Sequence, residues 1–153
     1  MKREEDPIAD DEWLLRRVHR DKYRPDLVPT VRPSAFEPRG PKTRDPDHDG
    51  ISFYRKSCLA SPEEILRIVA ADKRDAMAIV QIQVQQLTQL RLRDQQLSVE
   101  SRPDARIKGH VVIPQLNAAV LSRDRASLTP VMLALAELAS QPDNIVRVPR
   151  PAG

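Results

Sequence analysis

Proline sets the first boundary on what this chain can fold into. It occupies 14 of 153 positions, and seven of these (Pro7, Pro25, Pro29, Pro33, Pro38, Pro41, Pro46) fall within the first 46 residues. Each proline fixes its own φ and removes a backbone donor, so neither a regular helix nor a central strand survives between Pro25 and Pro46. Residues 20–49 therefore read as one irregular, largely extended segment, with Leu27, Val28, Val31 and Phe36 as its anchors. A connection of this length inside a small domain is either functional or disordered.

The remainder carries enough aliphatic residues for one core. The chain is 40% hydrophobic but only 3% aromatic, so the core is aliphatic, and readers of nucleic acid that stack bases on aromatic platforms start at a disadvantage. No apolar run approaches the roughly 20 residues that span a bilayer. The opening MKREEDPIADDEW is charged and holds no apolar stretch, so no secretory signal is expected and the expected compartment is the cytoplasm. The single Cys58 has no internal disulfide partner, in keeping with a reducing compartment.

Local patterns place the elements. EWLLRRVH (12–19) reads as a short strand or helical turn, and ISFYR (51–55) as a strand by its alternation. SPEE (61–64) has the form of a capping box with proline at the first helical position, which predicts a helix to about Asp72. Residues 76–84 read as a strand, 85–93 as a short helix, and 97–101 and 110–113 as strands. Thr129 and Pro130 predict the start of a last helix ending before Pro142, and the tail from Ile145 adds a short strand. Together these give an α+β fold: a small mixed sheet, two principal helices and a long Pro-rich irregular N-terminal segment. The expected organisation is a charged tail over 1–11, one domain over 12–148, and a tail over 149–153.

Charge is nearly balanced overall, at +3, but not locally. Residues 16–44 carry nine basic side chains against Asp21, Asp26 and Glu37. Arg16, Arg17, Arg20, Lys22, Arg24, Arg32 and Arg39, with Tyr23 and Phe36 interleaved, form the candidate partner-binding set, suited to phosphates or an acidic protein. DPDHDG (45–50) matches the start of a Ca²⁺ loop through Asp45, Asp47 and Asp49. The match ends there: the twelfth position is Lys56, and the preceding prolines forbid a leading helix. An Asp/Gly turn feeding the next strand is the preferred reading. The three histidines share no metal-ligand spacing, and no cofactor is implied. Cys58 beside His110 could pair a thiol with a base, although a small buried cysteine is the more ordinary outcome.

The order of motifs resembles that of a group of small, uncharacterised bacterial proteins. The motifs are LLRRVH (14–19), AF (35–36), GISF (50–53) and GHVVIP (109–114). That group has no established activity, so the resemblance implies no catalytic residues. It directs attention to Arg17, His19, Phe36, Ser52 and His110.

Three functions are compatible with these features. The first is a non-enzymatic protein that binds another macromolecule, a protein partner above all, through the basic Pro-rich segment. The alternative is a small enzyme acting on a nucleotide or nucleic acid, ADP-ribosyl-transfer-like or nuclease-like, with Arg17 holding phosphate and His19, Ser52 and His110 supplying acid, base or nucleophile. The third is a nucleic-acid-binding module.

Overall fold

The segment at the first basic motif, readable as a short strand or a helical turn, is a strand near the middle of a sheet. The computed structural model describes residues 1–39 and 50–151. Strand β1 (Trp13–His19) pairs along its whole length with β3 (Met77–Gln83), from Trp13↔Gln83 to His19↔Met77. On its other side it meets β2 (Ile51–Arg55) at only two positions, Leu14↔Arg55 and Leu15↔Tyr54. β2 continues to β7 (His110–Ile113), which pairs with the two-residue edge β6 (Glu100–Ser101), and β8 (Ile145–Arg147) closes the opposite edge against β3. The spatial order is β6-β7-β2-β1-β3-β8, with every pairing antiparallel. A separate hairpin joins β4 (Arg91–Leu92) to β5 (Gln95–Gln96). The protein is thus the small α+β fold expected from the sequence.

Side chains alternate across a strand, so each strand feeds two layers. Leu14, Val18, Phe53, Val80, Ile82 and Val111 pack against Leu128, Met132 and Leu135 of the long helix α3 (Arg125–Ala139). On the other face Leu15, Tyr54 and Ile79 meet Leu59, Ile65, Leu66 and Ile107 in a smaller cluster. Two short helices, α1 (Val84–Thr88) and α2 (Ala118–Arg123), complete the regular structure. Among the described residues no helix is long and apolar enough to cross a membrane.

Three local expectations change. The SPEE segment forms a 3-10 turn over Pro62–Leu66, and the Ser61 side chain makes no cap hydrogen bond. Glu64 instead accepts from the Ala60 amide at 2.7 Å. Arg74 donates to the carbonyls of Arg67 and Val69, which takes up acceptors that a longer helix would need. α3 starts at Arg125, capped by Asp124 accepting from the Ser127 amide, so Pro130 lies inside the helix and not at its start. Ala126, whose carbonyl loses its helical donor there, is exposed to water. The strand expected at 97–101 shrinks to β6, because the Ser98 amide donates to the Gln115 side chain instead of to a strand.

Over residues 23–39 the segment forms no α-helix and no strand, as its prolines require, only a 3-10 turn at Pro33–Phe36, yet it is tied down. Tyr23 and Val31 form an isolated antiparallel bridge. Around it the Arg24 amide donates to the Thr30 carbonyl at 2.7 Å and the Arg32 amide to the Lys22 carbonyl at 2.8 Å. The Val31 amide donates to Ser140 Oγ at the end of α3, and Phe36 stacks on Phe53 with ring centroids 6.4 Å apart. Val31 and Phe36 are the anchors. Leu27 and Val28 are not: they are 38% and 96% exposed, because the 24–30 turn carries them away from the sheet.

The charged stretch before β1 is held down as well. Arg55, at the end of β2, donates to the carbonyls of Glu4, Asp6 and Pro7 and makes a forked pair with Glu12. Residues 4–12 therefore wrap a buried guanidinium rather than trail from the domain.

Candidate functional site

Alternation along β1 sends its two adjacent arginines to opposite faces. Arg16 is buried on the α3 side. Its Nε and Nη2 donate to the Ala35 carbonyl at 3.0 and 2.8 Å, and its Nη1 donates to the Ser52 carbonyl at 2.8 Å. The guanidinium carbon lies 5.7 and 5.8 Å from the ring centroids of Phe36 and Phe53. Arg16 thus fastens the 33–36 turn to β2 in the region where β1 and β2 no longer pair. Arg17 faces the smaller cluster, donates Nη1 to the Ile65 carbonyl at 2.7 Å, and sits 5.6 Å over the Tyr54 ring.

The register of β2 with β7 sets Ser52 opposite Val112 and Tyr54 opposite His110. Ser52, Tyr54 and His110 consequently share the face that Arg17 occupies. His110 Nδ1 lies 2.6 Å from the Arg102 carbonyl and Nε2 lies 2.9 Å from Ser52 Oγ. A carbonyl only accepts, so Nδ1 carries the hydrogen, and in the neutral ring Nε2 receives the serine hydroxyl. A hydroxyl donating to an oriented imidazole is the arrangement that activates a nucleophile. Ser52 and His110 are only 4% and 6% exposed, however, so the pair is closed to solvent. Tyr54 tilts against His110 at 5.2 Å, and its buried hydroxyl has no hydrogen-bond partner among the described residues.

His19 stands apart, at the far end of β1. Its Nδ1 accepts from the Asp21 amide at 3.1 Å. With Arg17, Lys22, Ser34 and Arg39 it lines a cleft of about 290 Å³ between β1 and the 33–39 stretch, and neither Ser52 nor His110 is among the lining residues. The four residues of the enzyme reading thus divide: Ser52 and His110 form a closed pair, His19 opens onto the cleft, and Arg17 shares the face of the first and lines the second.

The candidate partner-binding residues divide in the same way. Arg16, Tyr23 and Phe36 point inward and hold the segment in place. Arg24 forks onto Asp26 at 3.2 and 3.1 Å, and Arg32 donates to the Pro29 carbonyl at 3.0 Å. Arg20 is half-buried; Lys22 and Arg39 are exposed. Asp45, Asp47, Asp49 and His48 lie outside the described residues. Among the described residues no three His, Cys, Asp or Glu side chains converge as metal ligands. Burial pushes the Cys58 thiol above its usual range against the lowering influence of the Arg55 charge. Burial thus disfavours the thiolate that a cysteine nucleophile needs.

Sequence reasoning missed the Glu12–Arg55 pair altogether. Forty-three positions separate the two residues, and neither sits in a local motif.

Comparison of the chain with protein-family models, with curated proteins and with solved structures finds no match.

Proposed function

We propose that this protein is a non-enzymatic, macromolecule-binding accessory protein that docks a protein partner through its basic Pro-rich segment. The observation that carries this reading is Val28, 96% exposed at the tip of a turn that is fastened at its base. The Arg24–Thr30 hydrogen bond, the Tyr23–Val31 bridge and the bond from Val31 to Ser140 close that base. An apolar tip on a restrained loop loses little conformational entropy on binding and can fill a partner's pocket as an anchor. Arg20 and Lys22 flank the loop and favour an acidic rim on the partner.

Deleting the segment is a poor test, because Val31 and Phe36 belong to the core. A photo-crosslinking side chain placed at position 28, and separately at the exposed Ala119 as control, leaves the core intact. The expected result is one discrete protein adduct from position 28, none from 119, and its loss in Val28→Asp. Equal adducts from both positions reject the reading.

A second reading rests on the Ser52–His110 hydrogen bond: an enzyme acting on a nucleotide or nucleic acid, with Arg17 on the same face to hold phosphate. A serine-directed fluorophosphonate supports it if it labels Ser52 in the native protein and fails to in His110→Gln. Absence of native labelling removes it.

A further inference from the structure

We infer that the cleft between β1 and the 33–39 stretch is a binding site for a phosphoryl group. Among the described residues that line it, the charges do not cancel. Lys22 and Arg39 have no carboxylate partner among the described residues, and Arg17 spends one N–H on the Ile65 carbonyl. Of the two carboxylates that line the same space, Glu37 is engaged from outside by Arg125 of α3. Asp21 lies beside His19, 3.3 Å from Nδ1. Arg16 is not needed in this count, because its N–H groups are directed to the Ala35 and Ser52 carbonyls.

The donors stand on two walls. Arg17 and His19 belong to β1, which the full ladder to β3 keeps straight. Ser34 and Arg39 belong to the facing stretch, which Arg16 fastens at the Ala35 carbonyl. Lys22 lines the same space. His19 accepts at Nδ1 from the Asp21 amide, so its hydrogen sits on Nε2 and that nitrogen is a donor.

A tetrahedral group with three terminal oxygens can meet donors from both walls at once. A planar carboxylate has two oxygens and suits a single fork. The volume, about 290 Å³, falls below the range of pockets for whole drug-sized ligands. It has room for a phosphoryl group together with part of the ester that carries it. None of these donors belongs to the apolar tip at Leu27 and Val28; only Lys22 is shared with the docking surface, so the crosslink from position 28 and the phosphate titration read the two proposals separately.

The test is a titration of the ¹⁵N-labelled full chain at constant ionic strength. The probes are inorganic phosphate, acetate, a phosphoserine peptide and its unphosphorylated twin. Saturable shifts confined to residues 17–22 and 34–39 are expected with phosphate and with the phosphopeptide only. A phosphopeptide that binds more tightly than phosphate identifies the source as a phosphorylated side chain; equal affinity identifies free phosphate or a small ester. Lys22→Ala with Arg39→Ala should weaken binding about tenfold or more. Among the described residues their exposed side chains make no hydrogen bond or ion pair, so the melting temperature should stay unchanged. Lack of saturation, an equal response to acetate, or wild-type affinity in the double variant overturns the assignment.

Discussion

Replacing Glu12 by glutamine tests how the amino-terminal stretch is held. Glu12 and Arg55 are almost completely buried, with side-chain exposures of 4% and 1%. Arg55 Nε and Nη2 donate to Glu12 at 2.9–3.1 Å, and its remaining N–H groups reach three backbone carbonyls. Glu12 also accepts from the Ala9 amide and the Ser57 hydroxyl. Glutamine keeps the shape but removes the charge, leaving a guanidinium in a low-dielectric site with no counter-ion. Breaking a buried pair in this way costs about 3–5 kcal/mol. For a chain of this length that corresponds to a fall in melting temperature of roughly 6–20 °C.

The pH dependence gives a second readout of the same pair. Burial raises the Glu12 carboxyl, but the Ser57 hydroxyl, the Ala9 amide and Arg55 together hold it below its usual value of 4.5. A carboxyl depressed on folding contributes stability above its unfolded pKa and loses that contribution as pH falls through the folded value. Wild type should therefore lose stability below about pH 4.5 more steeply than Glu12→Gln. Removing both charges, in Glu12→Leu with Arg55→Met, should cost less than removing one, because no charge is then stranded. Urea denaturation from pH 3 to 7 measures all three proteins. A loss under about 1 kcal/mol in Glu12→Gln, or equal acid slopes, refutes the reasoning.

Three further outcomes are expected. Gly109→Ala should destabilise by about 1–3 kcal/mol in a thermal melt, since φ is +81° and a Cβ would lie 2.9 Å from that of Cys58 and 3.2 Å from the Arg55 carbonyl oxygen. Phe36→Ala should cost about 3–5 kcal/mol, and trypsin should then cut within 20–39 before it cuts elsewhere, because the ring against Phe53 and Arg16 fastens the segment. Cys58, buried and with its thiol pKa raised, should react with iodoacetamide at pH 8 far more slowly in native protein than in urea, as followed by mass spectrometry.

How much was legible depends on the distance over which the deciding interaction acts. β2, β3 and β7 were readable, and β1 was narrowed to a strand or a helical turn, because a buried strand carries its apolar residues in its own four to seven positions. The SPEE segment was misread because the capping motif is local, whereas Arg74, beyond the expected helix end, claims the carbonyls of Arg67 and Val69. Leu27 and Val28 looked like anchors because an apolar side chain in an extended segment usually packs, and only the direction of the 24–30 turn shows that they project. For the candidate site, the sequence named Arg17, His19, Ser52 and His110 without saying which share a face.

The chain by itself determined the α+β class, the aliphatic core and the irregular course over residues 23–39. Those follow from properties each residue carries alone: apolar surface, strand alternation, and the locked φ and missing donor of proline. Tertiary structure decided which cations turn inward and which face water. Arg16 and Arg17 are neighbours in the same motif, yet one is buried among Phe36, Phe53 and two carbonyls and the other lies over Tyr54. It also paired Glu12 with Arg55 and Ser52 with His110, because a charge or hydroxyl removed from water takes whatever partner the sheet register brings within reach, however distant along the chain.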